Sequence, residues 1–177
     1  LAHPAGRGGD GRVSGDPMPD RHLDLRDKLA WMVEIRGYAV EPVTQVDDPL
    51  DPRPGYTFSV GFEATWGHAE VGLWGLAPSA ARGLIDLIAA QIAAGIELPV
   101  GVVFSGLLEN ELRSALLTVD VDVADERFPG AAVFYAQTPF RMQQFMWPDR
   151  AGLLPWEDGY DHRLRVAQPM IGHWWVP

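Results

Sequence analysis

A chain of 177 residues, 47% of them hydrophobic, suits one domain with a core of ordinary size. The absence of cysteine excludes disulfides, thiolate zinc sites, cysteine-ligated iron–sulfur clusters and a cysteine nucleophile, so any metal would need His, Asp or Glu ligands. A formal charge of −10 speaks against nucleic acid as a partner, because phosphates are held mainly by clustered Lys and Arg.

Residues 1–19 are rich in Gly, Pro, Asp and Arg and almost free of large apolar side chains, so they cannot offset the entropy of ordering. A disordered arm is expected there, followed by a single domain over 20–177, and Met18 is the expected natural start. Asp24 precedes Leu25, Leu29, Met32 and Val33 on one face, with Gly37 at a C-cap position, which predicts a helix over 24–36. A short strand, Tyr38 to Val43, should follow. Thr44 to Gly55 carries Asp47, Asp48, Pro49, Asp51, Pro52 and Pro54 and reads as an irregular surface loop able to act as a lid.

Tyr56, Phe58, Val60 and Phe62 alternate with smaller residues, and Val71 and Leu73 alternate beyond Gly67, the period-two pattern of an antiparallel hairpin. Ser79 is the expected cap of a helix carrying Ala81, Leu84, Ile85, Ile88 and Ile92 and ended by Gly95. Val100 to Leu107 reads as a strand. Leu117, Val119, Val121 and Val123 alternate with Thr118, Asp120 and Asp122, a strand with an acidic solvent face. Phe128 to Gln137 suits either a short helix or a strand, Arg141 to Trp147 is extended and stopped by Pro148, and the tail from Asp149 is turn-rich. The mixed order predicts an α+β fold: a mixed, mainly antiparallel sheet with two or three helices packed on one side of it. No apolar run approaches the roughly 20 residues of a membrane-spanning helix, so neither a membrane nor a secretory route is expected and the location is read as cytoplasmic. Lys28 is the only lysine beside 13 arginines, a bias that a high-GC genome would produce.

Three pieces of the second half stand out: Gln144-Phe145-Met146-Trp147-Pro148-Asp149-Arg150, Leu154-Pro155-Trp156-Glu157 and Gln168-Pro169-Met170-Ile171-Gly172. With the Tyr56 to Phe62 strand and Gly67-His68-Ala69-Glu70 upstream, they resemble the bacterial family known as domain of unknown function 4262, over about residues 30 to 172. The family pattern has a Tyr-Thr-x-Gly-like strand, a Gly-His-Pro-Glu turn, a Gln-x-x-Trp-Pro-Asp segment, a Pro-Trp pair and a closing Gln-Pro. Here Ala69 stands in place of the proline of that turn, and two extra residues separate Thr57 from Gly61. The resemblance implies fold and membership and assigns no activity.

The residues themselves offer a small set of chemical groups. His68 and Glu70, two apart in an expected strand, would share a face and jointly hold a divalent metal or act as base and orienter. A catalytic zinc site wants about three protein ligands, so Asp149, Glu157 or His173 would have to converge from the tail; otherwise His68 bonds the hairpin loop and Glu70 faces solvent. Asp149 would be a general base if burial raised its pKa, and Arg150 a bidentate clamp for a carboxylate or phosphate. The alternative is an Asx-turn at Asp149 with Arg150 paired across the surface. Trp147 and Trp156 either line an apolar pocket or complete the core. Gln144 and Gln168 either contact a ligand or tie the irregular tail to the sheet. Ser59 lacks a Gly-x-Ser-x-Gly elbow, and the glycines from Gly6 to Gly15 lack the flanking strand and helix of a nucleotide-binding loop.

Two functional readings follow. One is a small hydrolytic or proton-transferring enzyme whose His68, Glu70, Asp149, Arg150 and Glu157 collect in a Trp-lined cleft, where the His68 turn meets the Trp147 to Glu157 segment. The other, preferred because no catalytic constellation rises above background, is a module that binds a small molecule or protein partner with an acidic surface, Asp120 and Asp122 included. Neither requires a cofactor.

Overall fold

The computed structural model describes residues 24–122, 126–136 and 138–174. The expected N-terminal arm and Val123, the expected end of a strand, lie outside them. Asp24 accepts a hydrogen bond from the Asp27 N–H at 2.8 Å and starts helix α1, Leu25–Arg36; Gly37, at φ 84°, ends it by donating to the Val33 carbonyl. Both ends follow the capping signals of the sequence.

Among the described residues six strands form one sheet: β1 (Ala39–Val43), β2 (Tyr56–Val60), β3 (Glu70–Trp74), β4 (Val103–Phe104), β5 (Ser114–Val119) and β6 (Met142–Met146), in the order β1-β2-β3-β6-β5-β4. Each half, β1-β2-β3 and β4-β5-β6, is an antiparallel meander, and the halves join through the parallel pair β3 and β6, with Glu70 opposite Met142 and Gly72 opposite Gln144. The α+β class and mainly antiparallel sheet agree with the sequence pattern. The strand expected over Val100 to Leu107 shrinks to two residues plus an isolated bridge from Val100 to Leu116, and the ambiguous Phe128 segment is helix α4, Pro129–Phe134.

Helices cover both faces, not one. Helix α3 (Pro78–Ala93) packs Ile85, Ile88 and Ile92 on the face that carries Val71, Leu73, Leu116 and Phe145. On the other face α1 and α4 pack Leu29 and Ala131 around Phe58, Val60, Phe128 and Met142. The reason lies in β2 and β3, whose residues are buried on both faces, Thr57 and Ser59 included, as befits central strands. The residues between β2 and β3 fold as a single helical turn, α2 (Phe62–Trp66), and α5 (His162–Ala167) interrupts the tail. No helix among the described residues is long and apolar enough to cross a membrane.

Candidate functional site

Glu70 is fully buried, not solvent-facing. The β2–β3 ladder ends at Phe58 opposite Gly72, and beyond that point the Glu70 carboxylate fills the gap between the diverging strands. Its Oε2 accepts from the Ser59 hydroxyl at 2.5 Å, and its Oε1 from the Gly61 N–H at 2.8 Å, the Glu63 N–H at 3.2 Å and the Tyr135 hydroxyl. Ser59 Oγ in turn accepts the Val71 N–H at 2.9 Å, replacing a lost ladder bond. Burial pushes the Glu70 carboxyl above its usual range despite these four donors, and burial beside Glu70 raises Tyr135 as well. The cluster joins β2, β3, α2 and the residue after α4, and it is closed to solvent at Ser59 and Glu70.

His68 belongs to the turn before β3, after Gly67 at φ 70°, so strand alternation does not put it beside Glu70. Its ring meets the edge of Phe62 and its Nδ1 lies 2.7 Å from the Ala69 carbonyl; burial holds the imidazole below its ordinary pKa. Among the described residues no group of three or more His, Asp or Glu side chains is placed to hold a metal ion.

The tail residues form a second group at the opposite end of the sheet. Because β3 and β6 run parallel with Glu70 level with Met142, His68 sits where both strands begin, beside Arg141, whose guanidinium donates to the Gly67 carbonyl. Trp147 and Asp149 follow the end of β6, where the Trp147 indole N–H donates to the Trp74 carbonyl at 3.0 Å. The length of β6, five residues at about 3.3 Å per step, keeps the two ends roughly 13 Å apart. The expected meeting of the His68 turn with Trp147 to Glu157 therefore does not occur, and the His68, Glu70, Asp149, Arg150 and Glu157 set divides in two.

Within the tail, the polar residues bind the chain to itself. Asp149 Oδ1 accepts the Ala151 and Leu153 N–H groups and Oδ2 the Asp161 N–H; these backbone donors, Leu153 first, hold its carboxyl below the usual range, the opposite of a general base raised by burial. Asp149 and exposed Arg150 line a cleft of about 510 Å³ with Ala151, Asp161, Arg163 and Leu164. Glu157 is paired bidentately with Arg113 at 2.7 Å and also accepts the Leu154 N–H, so its carboxyl too is held low. Buried Gln144 donates to the Pro169 carbonyl and accepts from Ile171 and Gly172, while Gln168 accepts the Trp147 N–H and donates to the Trp147 carbonyl and the Tyr160 hydroxyl. Trp156 packs edge-on against Trp174 over Ala115, Leu117 and Met146.

A larger opening than the Asp149 cleft lies elsewhere. A cleft of about 600 Å³ runs between the Thr44 to Gly55 loop, the strand ends Pro42, Val43, Tyr56 and Thr57, the Gly75 to Pro78 connection and the α5 residues Arg163, Val166 and Ala167. The loop is pinned by mutual backbone bonds of Val46 and Arg53, with Leu50 almost wholly exposed at its tip. Gly75, at φ 76°, packs against the Ala167 carbonyl so closely that a Cβ would lie 2.6 Å away; this contact sets the floor. The sequence marked the loop but not its partners. The signal available was the start of α3: the expected cap Ser79 is not the cap, because Pro78 takes the first helical position and Ala77 the N-cap, with no side-chain bond, as proline's fixed φ favours.

No curated protein and no solved structure matches the chain. The model of the family described as domain of unknown function DUF4262 matches residues 32–161, and the chain belongs to that family.

Proposed function

We propose that the chain is a small-molecule-binding module whose site is the cleft beneath the Thr44 to Gly55 loop. The observation that carries this reading is the cleft itself: about 600 Å³, within the range of about 300–1,000 Å³ typical of ligand sites. Its walls combine apolar residues, Pro42, Val43, Leu76 and Val166, with a few polar groups, Thr57, Gln45 and the two arginines Arg53 and Arg163, which is the usual division between affinity and orientation. The tail motifs act at a distance: Gln168 anchors the end of α5, and α5 supplies one wall of the cleft.

The test is a melting-temperature screen of the full chain against a small-molecule library, repeated with Ala77→Trp. Ala77 is exposed and lines the cleft, so an indole there would fill it without entering the core. The expected result is at least one compound that stabilises the wild type by mass action and leaves Ala77→Trp unshifted. Stabilisers that act equally on both proteins would overturn the reading.

A further inference from the structure

We infer that the ligand of this cleft is a small organic acid, its carboxylate seated between the Thr57 hydroxyl and the N-terminus of α3. This rests on the ligand-binding reading above and names its chemistry. Two independent observations converge. Thr57 lies opposite Leu73 on the α3 face of the sheet, is 98% buried by its 2% exposure, and lines the cleft, yet among the described residues its hydroxyl has no hydrogen-bond partner. The enclosed side-chain atoms without a partner among the described residues are Ser114 Oγ and Gln143 Oε1, so the Thr57 oxygen is open to the cleft it lines and free to donate to an acceptor there. The second observation is α3 itself, 16 residues long, with Ala77 as its N-cap, no side-chain cap bond and no acidic residue in its first turn. Pro78 has no N–H, and those of Ser79 and Ala80 have no acceptor within the helix, leaving the partial positive charge of about half a unit at this end uncompensated. Ala77 and Pro78 line the same cleft as Thr57.

Two guanidinium groups stand at the rim. Arg163 pairs with Asp161 at 2.8 Å and Arg53 with Asp51 at 3.3 Å, both largely exposed, and exposed pairs of this kind are easily exchanged for another anion. The ligand charge is single. Asp47 also lines the cleft and the chain carries −10 overall, so a phosphate dianion would meet more repulsion than a carboxylate. The apolar walls then receive the carbon body of the acid.

The experiment titrates the full ¹⁵N-labelled chain with matched pairs, 4-phenylbutyrate against 4-phenylbutyramide and hexanoate against hexanamide, and with inorganic phosphate, following the amide signals of residues 55–57 and 75–77. The acids are expected to bind about tenfold or more tightly than their amides. Thr57→Val, which keeps the shape of the side chain, should weaken the acids about tenfold and leave the amides unchanged, and exposed Arg163→Gln should weaken the acids less. Unchanged melting temperatures of these variants would show that the fold is intact. Acids and amides of equal affinity, or Thr57→Val without effect on acids, would overturn the acid inference and leave the binding reading standing. Phosphate binding more tightly than either acid would overturn the carboxylate assignment. No perturbation of these signals by any member would overturn the acid inference and the cleft reading together.

Discussion

The Ser59 hydroxyl donates to the Glu70 carboxylate at 2.5 Å while accepting the N–H of Val71, so one side chain closes the gap where β2 leaves β3. The carboxylate is the hub of this closure, with two backbone and two hydroxyl donors converging on it. Glu70→Ala should therefore strand all four donors in the interior and cost about 3–5 kcal/mol of stability. Glu70→Gln, which keeps an acceptor oxygen, should cost less. Urea denaturation of both variants checks the order, and equal, small losses would show that the hub does not hold the strands.

The same carboxyl gives stability a pH dependence of known sign. Burial raises the folded-state pKa of Glu70 above its ordinary 4.5, so the folded state binds the extra proton and this contribution is complete below that value and is lost as pH rises through the folded pKa. Carboxyls held low act oppositely: Asp161, lowered to about 2 by its bonds to Arg163, contributes stability that is present above pH 3.8 and lost as pH falls toward 2. Subtracting the pH profile of Glu70→Gln from that of the wild type isolates the first effect. The difference should favour the wild type most below pH 4.5 and decline as pH rises above it; a flat or rising difference would contradict the assignment.

Gln168 should prove a structural staple of the α5 wall. Replacing it with Leu leaves the N–H and carbonyl of Trp147 and the hydroxyl of Tyr160 without their partner, at about 1–3 kcal/mol for an unsatisfied group. Limited proteolysis after residue 160 should accelerate as α5 loosens, and ligand affinity in the cleft should fall with it. Proteolysis at the wild-type rate would mean that the tail is held by packing alone.

Gly75→Ala tests the floor of the cleft. Its positive φ and the 2.6 Å approach of the added Cβ to the Ala167 carbonyl together predict a loss of about 1–3 kcal/mol, with amide exchange accelerated in α5. Full stability would show that α5 yields to the methyl group without strain.

How far the sequence revealed this arrangement depended on range. The ends of α1 were legible because Asp24 and Gly37 act on groups within four residues of themselves, and the β2–β3 hairpin because alternation is local. Placement of helices on both faces was not, since Thr57 and Ser59 read as a polar face until the Glu70 network and α3 bury them. The partner of Glu70 in α4's wake, Tyr135, lies 65 residues away, beyond any local pattern. His68 and Glu70 looked like one site on the assumption of continuous strand geometry, which the turn at Gly67 interrupts. The cleft was half legible: the Asp- and Pro-rich loop announced itself, whereas Arg163 and Val166 reach it from the far end of the chain.

The cleft between the Thr44 to Gly55 loop and α5 is the proposed binding site. The decisive measurement is a crystal structure of the chain with a compound that raises its melting temperature. Ligand density is expected between Thr57, Ala77 and Val166, residues that line the cleft; density seated instead against Asp149 and Arg150, in the smaller opening of about 510 Å³, would place the site elsewhere.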